Sequence, residues 1–301
     1  GAGGGGAFLA CPVNCEPTLF DFFVDTPPPQ NEKDLDFFSI QVDFGPSQQE
    51  FHIGQGSVAI PGNTSGLLTV HKRLGQLPLK AVLEPSITAA RSGVIINEAQ
   101  AYLIKILEPI LTHSHAGLDL FRPNGELLNH GDHFQNLAFA DFLEILVHEG
   151  DRFFYEGDGA DLILKTIGEK SLITRECLAS YGVVERAPLK SSFRGKTIYT
   201  NPPPSNGGAL ITFLLKLLDQ AETGSASEFI RLVKAMEITS RARREICHNA
   251  QDTSQISQVQ EPNTFTYYLK LFNSGYNNIP NELDPPSQGA TTHVSILDNQ
   301  G

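Results

Sequence analysis

Basic charge and long apolar runs are both scarce in this chain. Lys and Arg number 22 against 34 Asp and Glu, giving a net charge of -12 over 301 residues. The cations stand singly or in short groups such as Arg241, Arg243 and Arg244. No surface of that kind tracks a phosphate backbone, so nucleic acid is not an expected partner. No segment reaches the roughly 18 apolar residues that a membrane span requires. Four cysteines are too few to staple a chain of this size. Cys11 and Cys15 are close enough to bridge across a turn, and the stretch reads as a loop with two free or bridged thiols. Their spacing is half of a zinc site, but no second Cys or His pair follows at the spacing that would complete it. A starting Met and charged leader are also missing. The chain opens on Gly1-Ala2-Gly3-Gly4-Gly5-Gly6, so its natural N-terminus is expected upstream, and the sequence speaks neither for nor against export.

What is present is the composition of a packed protein. Hydrophobic residues make up 40% and charged residues 19%, with apolar runs along the whole length. The chain is therefore expected to fold around a real core, either one large one or two. Residues 7–10 and 19–24 read as two buried strands joined through the Cys11 to Cys15 turn. The alternation of Ile40, Val42 and Phe44 marks a further strand over 37–44. Ala59-Ile60-Pro61-Gly62 reads as a strand that stops in a turn. Apolar residues at helical spacing predict helices over 64–74, 79–92, 96–112, 134–150, 157–168, 208–218 and 227–247. Residues 189–200 read as two short strands turning at Arg194-Gly195, followed by a Pro-rich loop to Gly208. The polar stretch 251–260 lacks periodicity and is expected to be a surface connection.

The end of the chain carries the chemistry. Pro285-Pro286-Ser287-Gln288-Gly289-Ala290 can hold no ladder, whereas Thr291 to Asp298 alternates as a strand, followed by a turn at Asp298-Asn299-Gln300-Gly301. Thr291, His293 and Ser295 then share one face. A small-residue loop that delivers a hydroxyl to the first position of a strand suits self-processing. Attack of the Thr291 hydroxyl on the Ala290 carbonyl turns an amide into an ester that water hydrolyses. The freed α-amine, with a pKa of about 8, can then take the hydroxyl proton. Gly289 and Ala290 let the backbone bend into attack geometry. By composition alone, Thr-Thr-x-x-Ser in a β-branched run is also an ordinary half-buried strand.

Thr291-Thr292-His293-Val294-Ser295 with Asp298 resembles the Thr-Thr-His-x-Ser-x-x-Asp signature that opens the small subunit of gamma-glutamyltransferases. Other blocks of that family occur in order. Gly3 to Phe8 resembles its glycine-rich strand, and Val58-Ala59-Ile60-Pro61-Gly62 with Gly66, His71 and Leu74-Gly75 resembles the next block. Leu172-Ile173-Thr174-Arg175-Glu176 with Leu178 and Tyr181 also fits. Pro188-Leu189 through Arg194-Gly195 to Pro202-Pro203-Pro204-Ser205-Asn206-Gly207-Gly208 resembles the Pro-Pro-Ser-Ser-Gly-Gly block. The resemblance implies an α+β fold, the αββα four-layer sandwich of N-terminal-nucleophile hydrolases, represented here mostly by its helix-rich large-subunit part. It implies that residues 1–290 are that large-subunit portion and 291–301 the first strand of the small subunit. It makes Thr291 the catalytic nucleophile and Ala290-Thr291 the processing bond. It further implies a γ-glutamyl or N-acyl small-molecule substrate, the protein's own small subunit as partner, no metal or organic cofactor, and a periplasmic or extracellular site.

Two departures matter. Glutamate-binding members carry Arg in an Arg-Glu-Thr-Ala-Pro-like segment after the second strand, and Val24 falls at that position, where it cannot make a bidentate bond to a carboxylate. Only residues 291–301 of the small subunit are present, so this polypeptide by itself is expected to be inactive. Two alternatives follow: an acylase of the cephalosporin-acylase type with a non-glutamyl acyl group, or a non-catalytic paralogue or fragment. Three other features read as structural. Gly3 to Gly6 lacks the Lys-Ser or Lys-Thr of a phosphate loop, and tight strand packing is the expectation. His113, His115, His130 and His133 surround a glycine-containing turn rather than a metal. Ser205-Asn206-Gly207-Gly208 lacks the Gly-x-Ser-x-Gly order of a serine elbow and reads as a loop near the active-site wall.

Overall fold

The computed structural model describes residues 2–27, 34–45, 48–221, 227–246, 253–274 and 293–298. The strands are β1 (Gly6–Ala10), β2 (Thr18–Phe22), β3 (Phe38–Asp43), β4 (Gln48–Ile53), β5 (Val94–Ile95), β6 (His133–Phe134), β7 (Val184–Arg186), β8 (Leu189–Phe193) and β9 (Lys196–Thr200). The helices are α1 (Asn63–Leu74), α2 (Leu79–Ser92), α3 (Glu98–Ile106), α4 (Glu108–Leu111), α5 (His115–Phe121), α6 (Leu137–Glu149), α7 (Arg152–Tyr155), α8 (Asp158–Ile167), α9 (Arg175–Ala179), α10 (Asn206–Gln220), α11 (Glu228–Ile246) and α12 (Pro262–Asn273). The chain divides into two compact units, one built mainly from residues 22–183 and the other from 7–21 and 184–284.

In the first unit, β3 and β4 form an antiparallel hairpin in which Phe38 faces Ile53 and Ile40 faces Phe51. Asp36 closes its base, accepting the Gln55 amide on its carboxylate at 3.0 Å and the Gly56 amide on its carbonyl at 2.8 Å. Helices α2 and α6 pack through Ile87, Ala140, Leu143 and Leu146. A second cluster gathers Ile60, Phe154, Tyr155, Ala160, Ile173 and Leu178, and a third gathers Ile96, Ala101, Ile104 and Leu128. Helices α6 and α8 stop at Gly150 and Gly168, whose φ values of 67° and 69° a side chain would resist.

In the second unit, α10, α11 and α12 surround Phe213, Leu217, Ala235, Ile238, Phe265 and Phe272. The hairpin β8–β9 turns at Arg194 and Gly195, both at positive φ (48° and 76°), as a two-residue hairpin turn of the right twist demands. A three-stranded sheet runs β1–β2–β7, with β7 antiparallel to β2 and Arg186 paired to Asp21 at 2.8 Å.

Four expectations are corrected. The single helix over 96–112 is two, α3 and α4, separated at Leu107. Pro109 causes the break, because its ring clashes with the carbonyl four residues back and it has no amide to donate. The segment 251–260 is not a surface connection where it is described. Residues 253–260 form a 3-10 helix whose Ile256 and Val259 are fully buried. Three residues per turn stack that pair on one side, a period that a search for 3.6 does not detect. Ile60 forms a lone bridge to Asp25 rather than a strand. Finally, 293–298 carry no regular secondary structure and are exposed. A strand requires a paired backbone, and no ladder to this segment exists among the described residues.

Candidate functional site

Thr291 and Ala290, the predicted nucleophile and processing bond, lie outside the described residues, as do Gly289 and Thr292. Immediately after them, the His293 Nε2 and Ser295 Oγ are 2.8 Å apart, as expected for residues on one side of an extended chain. Both are exposed. Val24, at the other predicted site position, is half-buried just past the end of β2.

The backbone around Val24 is tightly built. Asp25 and Ile60 exchange both backbone hydrogen bonds, at 3.1 and 2.8 Å. The Gly62 and Asn63 amides both donate to the Gly4 carbonyl at 2.9 Å. Three chain segments therefore cross here, and the glycines allow it. A Cβ on Gly5 would overlap the Val24 amide nitrogen, and one on Gly62 would overlap the Phe22 carbonyl oxygen and the Tyr181 hydroxyl. One on Gly66 would enter the Phe22 ring. In the glycine-rich start of the chain the close packing that its sequence suggested is met at Gly5, whereas Gly3 has open space around it.

Two tyrosines complete the crossing. The Tyr181 hydroxyl donates to the Phe23 carbonyl at 2.8 Å and the Tyr155 hydroxyl to the Pro61 carbonyl at 2.6 Å. Their rings stack with centroids 5.4 Å apart and planes 8° from parallel. The Ser65 hydroxyl donates to the Asp151 carboxylate at 2.8 Å, joining α1 to the residue before α7. Of these residues Tyr155 had no sequence signal. Phe153-Phe154-Tyr155 reads simply as apolar core, although a buried tyrosine hydroxyl generally needs a partner.

Burial pushes the Tyr155 hydroxyl well above its ordinary pKa of 10.0, against a smaller opposing effect of the Ser65 amide. Tyr268 is shifted the same way, by burial first and then by its hydrogen bond to Glu245 at 2.7 Å. A tyrosine whose pKa is raised on folding contributes stability that is complete below its unfolded value and is lost as pH rises past it. Stability is therefore expected to fall above about pH 10. Tyr155→Phe should flatten part of that fall when denaturant midpoints are compared between about pH 8 and 11. A slope identical to that of the unaltered protein would refute the assignment.

The remaining predicted features are separate from this crossing. Cys11 and Cys15 are free and exposed in the β1–β2 connection, where the Cys15 amide donates to the Pro12 carbonyl at 3.2 Å. His113 meets the Phe38 ring edge-on, and His133 pairs with Ile95 in the β5–β6 ladder. Among the described residues no group of three or more His, Cys, Asp or Glu side chains could hold a metal. Ser205 precedes α10 without capping it, and the peptide between Pro203 and Pro204 is cis. Among the described residues no helix is long and apolar enough to cross a membrane.

Comparison with known proteins gives this geometry a context. The profile of the family described as Gamma-glutamyltranspeptidase matches residues 1–301. The glutathione hydrolase proenzyme of Escherichia coli (strain K12) is 28% identical over 99% of this chain and 53% of its own length. The capsule biosynthesis protein CapD proenzyme of Bacillus anthracis is 28% identical over 100% of this chain and 51% of its own. The chain thus spans about half the length of these curated relatives. Among solved structures, gamma-glutamyltranspeptidase of Helicobacter pylori superposes with a TM-score of 0.73 at 24% identity, covering 91% of this chain and 78% of that one. Cephalosporin acylase from Bacillus halodurans reaches 0.69 at 19% identity, covering 90% and 51%. Likeness at these identities is a likeness of fold.

Proposed function

The chain belongs to the gamma-glutamyltranspeptidase family and has the α+β fold of N-terminal-nucleophile hydrolases; from that premise we propose that it is part of a self-cleaving acyltransferase or hydrolase whose nucleophile is Thr291. The observation that carries this reading is the continuity of the family match through residues 289–298, where a small-residue loop delivers the Thr291 hydroxyl. On this reading residues 1–290 are the large-subunit portion, 291–301 open the small subunit, and that small subunit is the chain's partner.

The chemistry has two stages. First the Thr291 Oγ adds to the Ala290 carbonyl, the peptide C–N bond breaks, and an ester forms. Water then hydrolyses the ester, leaving a carboxylate on Ala290 and a free α-amine on Thr291. In the second stage that amine accepts the Oγ proton as Oγ attacks a substrate amide, and the departing amine takes the proton. Water or a second amine then adds to the ester carbonyl, the acyl C–Oγ bond breaks, and Thr291 Oγ regains a proton from the attacking group by way of the α-amine.

A γ-glutamyl amide such as glutathione is the substrate to which the family points. Val24 favours a second reading, a related acylase whose acyl group has no α-carboxylate, because a half-buried isopropyl group offers nothing to pair with that charge. Mass spectrometry of the full-length natural protein tests the main reading: the mature product should contain a chain beginning at Thr291, and active but uncleaved protein would overturn it. Comparing a γ-glutamyl anilide with N-acyl amides separates the two substrates. Val24→Arg should raise kcat/KM for the γ-glutamyl compound relative to the N-acyl ones by about 10- to 100-fold, the worth of one charge-assisted hydrogen-bonded pair. An unchanged ratio would mean that position 24 does not face the acyl group.

A further inference from the structure

Val24 is held more firmly than its place in an irregular segment suggests. A residue's Cα–Cβ direction is set by the two peptide planes that flank it. The plane before Val24 carries the Phe23 carbonyl, which accepts from the Tyr181 hydroxyl at 2.8 Å. The plane after it carries the Asp25 amide, which donates to the Ile60 carbonyl at 3.1 Å. Ile60 is fixed in turn, since the Pro61 carbonyl next to it accepts from the Tyr155 hydroxyl at 2.6 Å. The two tyrosine rings stack on each other, so the two hydroxyls are held at a set spacing, one on each of the two segments that the Asp25–Ile60 bridge joins. Gly5 packs so closely against the Phe23–Val24 peptide that a Cβ there would overlap the Val24 amide nitrogen.

We propose that Tyr181 and Tyr155 are positioning residues that select the acyl group: their stacked pair clamps both segments of the Asp25–Ile60 bridge at its Val24 end and so fixes where the Val24 side chain meets the substrate. In this role both tyrosines act through the Val24 backbone and not on the substrate itself. The inference rests on the reading of Val24 as part of the acyl site, and it adds the device that makes so small a side chain discriminating. A valine on a mobile loop would yield to acyl groups of different width, whereas one with both flanking peptides tied behaves as a wall.

The test uses Tyr181→Phe in the full-length protein, which removes one hydroxyl and keeps the ring stack. Amide hydrogen exchange at Asp25 and Ile60 should become about threefold to tenfold faster, the worth of one hydrogen bond, with amides in α11 unchanged. The ratio of kcat/KM between a narrow and a branched N-acyl amide should fall by a similar factor, expressed in KM and not in kcat. Tyr155→Phe should move both readouts in the same direction. If exchange quickens everywhere and both substrates lose kcat together, the tyrosines support only general stability and the proposal fails. If the variant is cleaved and active with its substrate ratio unchanged, the positioning role alone is wrong. If the unaltered protein yields no chain beginning at Thr291 and no acyl hydrolysis, the reading of Thr291 is lost and acyl selection with it.

Discussion

Thr291→Ala is expected to leave the full-length protein as one uncut chain and to lower acyl hydrolysis or transfer by about 10⁴-fold or more, the scale on which removal of a nucleophile acts. Both losses trace to one oxygen. On the proposed mechanism, without it nothing attacks the Ala290 carbonyl, and without that cut the α-amine proposed as base stays locked in a peptide bond. Thr291→Ser gives the discriminating comparison: it keeps the hydroxyl, so cleavage should persist at a reduced rate. Mass spectrometry reads the cut and turnover of a chromogenic amide reads the activity. A Thr291→Ala protein that is still processed at residue 291 would place the nucleophile elsewhere.

Gly62→Ala is expected to cost about 3 kcal/mol of stability, the upper range for forcing an atom into a filled space. The new Cβ would collide with the Phe22 carbonyl oxygen, a backbone atom, and with the Tyr181 hydroxyl. The carbonyl cannot swing aside without disturbing the end of β2, and the hydroxyl cannot leave without giving up the Phe23 carbonyl. Backbone strain is not the cause, because Gly62 has a φ of -106°, open to any residue. The control is Gly207→Ala in the first turn of α10, where nothing lies within 4 Å of the added carbon. That change should be neutral or slightly stabilising, since alanine is the better helix former. Chemical denaturation of the two variants side by side checks the contrast, and equal midpoints would show that the crossing tolerates a methyl group.

Local signals carried a large part of this protein. The helix over 79–92 and the hairpin 189–193 with 196–200 stand where the spacing of apolar residues and the Arg194-Gly195 turn put them. Glycines marked the ends of α6 and α8 for the same reason: periodicity and chain reversal depend on neighbours within a few residues. Thr291 and Ala290 were likewise legible as a chemical possibility, because a hydroxyl next to a scissile bond is a one-dimensional arrangement. Family membership followed from the order of short blocks. The addition of β7 to β2 and the burial of Ile256 and Val259 against α10 and α11 depended on partners distant along the chain, and no short window of sequence contains both halves of such a contact. The clearest case is the floor beneath Val24. The resemblance to the family, read from the sequence, puts a valine where a carboxylate-binding arginine is expected. Only the tertiary structure decided how that position is held, through a tyrosine hydroxyl that reaches the Phe23 carbonyl from 158 residues along the chain and glycines that let three backbones meet.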